Sequence, residues 1–140
     1  MKPKVFLLIF LIAISGQTIA QDSVITLNSG WKAKKASEVL VDGTTITGKN
    51  FQFYDWMDAV VPGTVLTTLL HNQKVPDPFF GMNNELIPDI YQTGVGEYTY
   101  WFYNEFQAPE IQSDQQVWLK FRGINYTADV YLNGKRVNTD

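Results

Sequence analysis

Four acidic side chains, Asp77, Glu85, Asp89 and Glu97, and one histidine, His71, fall within a single stretch of the chain and limit the chemistry available to it. Carboxylates can act in pairs: hydrolysis of a glycosidic bond takes two of them, held about 5 to 10 Å apart on opposite sides of a sugar ring. Sequence spacing does not establish such a pair, and acidic residues in a polar stretch ordinarily stay solvated or cap turns. Other chemistries are poorly supplied. With no cysteine and one histidine, a metal site would need oxygen ligands alone, and no acidic run has the spacing of a calcium loop. His71 has no neighbour that completes a triad, so a capping or packing role is expected of it. There is no Gly-x-Ser-x-Gly elbow and no phosphate-cradling glycine loop. No catalytic residue, metal or cofactor is expected in this chain.

The elements around these residues follow from pattern. From Asn72 to Gly96 three prolines, three glycines and the turn-forming Asp77, Asn83, Asn84 and Asp89 make regular structure hard to sustain, which predicts a long ordered loop. Loops of this length often carry binding residues, although Phe79, Phe80, Met82, Leu86 and Ile87 would also serve as plugs at one end of a sandwich. Before it, Pro62-Gly63-Thr64 leads into Val65, Leu66, Leu69 and Leu70, one apolar stripe of a short helix with Thr64 as N-cap.

After the loop, Glu97 to Phe106 alternates with aromatics on both faces, Tyr98, Tyr100, Phe102 and Phe106 against Trp101 and Tyr103. Gln116 to Arg122 and Ile124 to Leu132 alternate again. The second of these ends at Asn133-Gly134, the pair that favours a two-residue type I′ turn, and Lys135 to Val137 begins a return strand. Val24 to Leu27 and Trp31 to Ala36 are shorter strand candidates, and Asp42-Gly43 marks a turn in a surface loop. The expected class is all-β, an antiparallel jelly-roll β-sandwich with one short helix. Strands that would complete the sandwich are expected beyond Asp140, since sheets need several strands of about five or six residues.

Met1 to Ala20 has the pattern of an export signal: Lys2 and Lys4, an apolar run from Val5 to Ile14, and small residues at a cleavage site. That run is shorter than the roughly 20 residues that span a bilayer, so no membrane association is expected after cleavage and the product is secreted or periplasmic. Residues 21–140 then form one domain, held by its core and not by disulfides. Without Lys2 and Lys4, 9 basic side chains face 14 acidic ones, a formal charge of −5 that argues against nucleic acid as a partner. Asn125-Tyr126-Thr127 is a glycosylation sequon, meaningful only in a host with the matching machinery.

The string from Trp56 to Ile90, with Val61-Pro62-Gly63-Thr64-Val65, Asp77-Pro78-Phe79-Phe80-Gly81-Met82-Asn83-Asn84-Glu85, the aromatic strand Tyr98-Thr99-Tyr100-Trp101-Phe102, and Phe121-Arg122-Gly123-Ile124 and Ala128-Asp129-Val130-Tyr131-Leu132-Asn133-Gly134, carries a resemblance. It resembles the N-terminal domain of β-mannosidases, mannosylglycoprotein endo-β-mannosidases and exo-β-glucosaminidases of glycoside hydrolase family 2. The resemblance implies a galactose-binding-like jelly roll, followed in a full-length enzyme by immunoglobulin-like and (β/α)₈ barrel domains, with the catalytic glutamates on the barrel. Asn84-Glu85 copies the Asn-Glu pair of that barrel but lies in the wrong domain. The resemblance instead implies that Asp77, Asn83, Asn84 and Glu85 help shape the sugar subsite at the barrel mouth, or that their loop only packs between domains. A free-standing carbohydrate-binding module and a purely structural scaffold are the other readings of the same domain.

Overall fold

The computed structural model describes residues 24–138. The expected export signal lies outside them. In chain order the elements are β1 (Lys32–Lys35), α1 (Gly43–Ile46), β2 (Met57–Asp58), α2 (Val65–His71), α3 (Ile90–Thr93), β3 (Tyr100–Tyr103), β4 (Tyr131–Leu132) and β5 (Lys135–Arg136), with 3₁₀ turns at Ala36–Glu38, Asn83–Leu86 and Val95–Tyr98. β1 is the centre of an antiparallel sheet in the order β2-β1-β3, with Lys32 facing Asp58 on one side and Tyr103 on the other. β4 and β5 form a separate hairpin.

Local chemistry accounts for most of these boundaries. At the start of α2 the Thr67 N–H donates to Thr64 Oγ1 at 3.2 Å while the Thr64 N–H donates to Thr67 Oγ1 at 2.7 Å, a reciprocal box in which threonine takes the place usually held by glutamate. The helix closes by a Schellman motif: the Lys74 N–H donates to the Leu69 carbonyl and the Gln73 N–H to the Leu70 carbonyl, with Gln73 at φ 55°. Its most buried residue is Thr68, fully enclosed, whose hydroxyl accepts the Val60 N–H at 3.2 Å. At the Asn133-Gly134 turn both φ angles are positive, 48° and 79°, as a type I′ turn requires.

Several expectations are corrected by the structure. One helix was expected and three α-helices are present among the described residues. Asp42-Gly43 is no loop turn: the Asp42 carboxylate accepts the Thr45 N–H at 2.8 Å and caps α1, whose Ile46 is only 1% exposed. α3 interrupts the expected loop because Asp89 caps it in the same way, accepting the Tyr91 N–H at 2.9 Å. Strand lengths also differ. The aromatic strand is shortened to Tyr100–Tyr103 because the 3₁₀ turn at Val95–Tyr98 takes up its first residues. Among the described residues, 24–27 and 116–122 join no ladder, and of 124–132 only Tyr131–Leu132 does. Alternation supplies a face but not a partner strand.

Ala33 on β1 is fully buried and joins Ile46 and Thr68 as the enclosed core. Around it the aromatics pack by edges and faces. Phe51, Phe53 and Trp56 form a T-shaped cluster with centroids 4.9 to 6.1 Å apart, and Phe53 lies over Tyr103 at 3.9 Å. Trp101 meets Tyr131 at 5.9 Å, which ties the hairpin to the sheet. Ion pairs line the sheet's exposed side, Lys32 with Asp58 at 2.7 Å and Lys34 with Asp55 at 2.6 Å. The hydrogen bond and charge of Lys32 hold the Asp58 carboxyl below its ordinary value.

Tyr103 gives a measurable consequence of this packing. Burial, reinforced by its hydrogen bond to Glu105 at 2.6 Å, pushes its phenol up to about 12. The fold favours the neutral phenol, so this contribution is fully present below the unfolded value of about 10 and is lost as pH rises towards 12. In a spectrophotometric titration, the last tyrosinate absorbance is expected between about pH 10 and 12, together with loss of sheet signal, and Tyr103→Phe is expected to remove that last component. A titration in which Tyr103→Phe and the parent chain coincide would contradict the assignment.

Candidate functional site

The candidate residues sit on the connection from α2 to β3. Its first part is a compact turn built by Asp77. The carboxylate accepts the Phe79 N–H at 2.9 Å, and the Asp77 carbonyl accepts the Phe80 N–H at 3.2 Å and the Asn83 side-chain amide at 3.0 Å. This is an Asx turn closed by a second side chain, and it follows from Asp-Pro-Phe, because aspartate reaches the amide two residues on. Asp77 and Asn83 are therefore brought together.

Asn84 and Glu85 are placed elsewhere. They lie in the 3₁₀ turn Asn83–Leu86, both exposed, and border a second concavity of about 460 Å³ with Leu86, Ile87 and Pro88. Asp77 faces a cleft of about 770 Å³ between the end of α2 and the loop, walled also by Leu70, Gln73, Lys74, Val75 and Phe79. Of the four candidate residues, Asp77 borders the larger hollow, Asn84 and Glu85 border the smaller one, and Asn83 lines neither. The larger cleft is open to solvent and mixes apolar side chains, Leu70, Val75 and Phe79, with the polar Gln73, Lys74 and Asp77.

The far end of the loop is anchored to the sheet. The Tyr98 hydroxyl donates to the Pro88 carbonyl, and Lys35 on β1 pairs with Glu97 at 2.6 Å. The hydrogen bond to Glu97 holds the Lys35 ammonium above its ordinary value, against a smaller opposing effect of desolvation. Burial raises the Tyr98 phenol. Sequence reasoning missed these anchors and missed the wall residues Gln73 and Lys74; the Asn-Gln-Lys step after the apolar stripe was the available signal for a helix end there. His71 is the last residue of α2, exposed, and its charge adds a small lowering influence on Asp58. No group of three or more metal-ligating side chains occurs among the described residues, and none of their helices is long and apolar enough to cross a membrane.

The described domain consists of short antiparallel ladders with a side-chain-stapled loop, and comparison with known proteins gives it a family. Residues 31–140 match the model of the glycosyl hydrolase 2 galactose-binding domain-like family, and the chain belongs to it. It is similar to a mannosylglycoprotein endo-beta-mannosidase of Lilium longiflorum, with 49% identity over 113 residues that cover 79% of this chain and 12% of that protein. It is also similar to an exo-beta-D-glucosaminidase of Streptomyces avermitilis, 25% identical over 80% of this chain and 12% of that protein. A third relative is beta-mannosidase B of Emericella nidulans, 27% identical over 78% of this chain and 11% of that protein. The chain spans about 12% of the length of the first two of these relatives. No solved structure matches it.

Proposed function

We propose that this chain is the N-terminal, jelly-roll sugar-binding domain of an exported glycoside hydrolase that acts on β-mannosides or β-glucosaminides. The observation that carries the proposal is the family match across residues 31–140 together with relatives named as glycosidases for those two sugars. Hydrolysis with retention needs a carboxylate pair about 5 to 5.5 Å apart. We place that pair on a barrel domain of the same protein and assign no proton transfer to Asp77 or Glu85. The role of this domain is to bind and orient: the Asp77–Asn83 turn presents fixed acceptors and donors to sugar hydroxyls, with Asn84 and Glu85 at the rim. The Met1 to Ala20 pattern supports secretion or delivery to the periplasm.

A second reading has an observation of its own. Phe79 is 95% exposed and Tyr91 96% exposed on the same loop, more apolar surface than a free loop ordinarily presents. On that reading the loop packs against a neighbouring domain and touches no sugar.

Alanine and asparagine substitutions in the full-length enzyme separate the two. Asp77→Asn keeps the acceptor that holds the turn but removes the charge, and it is expected to raise KM about tenfold with kcat nearly unchanged. Asn83→Ala is expected to act in the same direction, and Asn84→Ala and Glu85→Ala more weakly. Unchanged KM and kcat across all four would leave only the packing role.

A further inference from the structure

We propose that Gln73 is a sugar-contacting residue, its carboxamide supplying hydroxyl recognition on the wall of the larger cleft; this rests on the sugar-binding reading above. Gln73 occupies the position after α2 where the chain turns left-handed, at φ 55°. That conformation favours glycine, and asparagine next; a longer side chain there carries a steric cost with no return to the helix, since the two closing hydrogen bonds use only backbone atoms. Among the described non-glycine residues with positive φ, Gln73 is the one that borders the cleft.

What glutamine adds is an exposed carboxamide with two donors and an acceptor, bordering the same cleft as Asp77, Lys74 and Phe79. The carboxamide makes no hydrogen bond to any of the described residues, in contrast to Asn72 beside it, whose amide donates to the Asp58 and Thr68 carbonyls. Asn72 is committed to the fold and Gln73 is left available. An amide that both donates and accepts suits adjacent hydroxyls of a neutral hexose, while Asp77 provides the charged acceptor and Phe79 an apolar face for the ring's C–H surface. The Schellman closure fixes the backbone from which Gln73 projects, so the group is held by the end of a helix and not by a mobile chain.

The test uses the full-length enzyme with nitrophenyl β-mannoside and nitrophenyl β-glucosaminide as probes. Gln73→Gly relieves the backbone and deletes the amide. It is expected to raise KM about threefold to tenfold for the preferred substrate, with kcat unchanged and with no loss of thermal stability. Gln73→Asn keeps both the tolerated backbone and an amide and is expected to recover part of the loss. Unchanged KM in Gln73→Gly overturns the proposal. If Asp77→Asn raises KM while Gln73→Gly does not, only the role of Gln73 fails; if Gln73→Gly and all four substitutions at Asp77, Asn83, Asn84 and Glu85 leave KM unchanged, the sugar-binding reading falls with it.

Discussion

Gly63→Ala is expected to destabilise the domain by about 2 to 4 kcal/mol, combining a main-chain clash with the loss of a helix cap. A Cβ on Gly63 would lie 2.5 Å from the Val60 carbonyl oxygen and 2.7 Å from Thr67 Oγ1. The first of these is backbone and cannot rotate away. Relief therefore requires the Val60 to Thr64 segment to shift, and that segment carries the Thr64 end of the capping box and the amide that Thr68 accepts. Thr68 is fully buried, so its hydroxyl would lose its donor with no water to replace it. Urea denaturation followed by tryptophan emission measures the effect; a midpoint equal to that of the parent chain would mean the segment relaxes freely and the cap is not tied to Gly63. Thr64→Ala, which removes only the cap, provides the scale, at about 1 kcal/mol.

Gly43→Ala is expected to cost about 1 to 3 kcal/mol and to do so by a different route, by lifting the β4–β5 hairpin. The added Cβ would sit 2.5 to 2.7 Å from three ring atoms of Tyr131, including the one nearest its stem. Tyr131 cannot simply swing aside, because Trp101 lies against it at 5.9 Å. Movement of the ring would also strain the hydrogen bond from the Gly134 N–H to Thr47 Oγ1 at 2.9 Å, which holds the hairpin turn to the end of α1. Loss of near-ultraviolet dichroism from Trp101 is the expected signature, with helix signal largely retained. Near-ultraviolet spectra identical to the parent's would show that the hairpin is not docked through Tyr131.

Legibility in the sequence tracked how local each determinant is. The Asn133-Gly134 hairpin and the Thr64 cap were readable because each is decided within about four residues. α1 and α3 were hidden for a related reason: Asp42 and Asp89 are equally at home starting a turn or a helix, and neither following segment has the length that makes periodicity visible. The strand expected at Gln116 to Arg122 shows the opposite limit. Its alternation is real, yet Trp118 is 82% exposed, since a face becomes a strand only where another strand meets it. At the site, the composition of the loop was legible but its geometry was not. Nothing in Asp-Pro-Phe-Phe-Gly-Met-Asn-Asn-Glu separates Asp77 and Asn83 from Asn84 and Glu85, whereas one hydrogen bond between Asn83 and the Asp77 carbonyl does. Gln73 was overlooked because its backbone conformation, and not its type, marks it.

The bond between Thr47 and Gly134 joins positions 87 residues apart, and Lys35 meets Glu97 across 62. A chain that leaves the ribosome from its N-terminus therefore presents β1 and α1 long before β3 and the β4–β5 hairpin arrive. Ala33 meets Met57 of β2 early, whereas closing the wider loops costs entropy before any contact repays it. The contacts that tie β1 to β3 and α1 to the hairpin are therefore the slow ones to form, because they wait on the last third of the described residues.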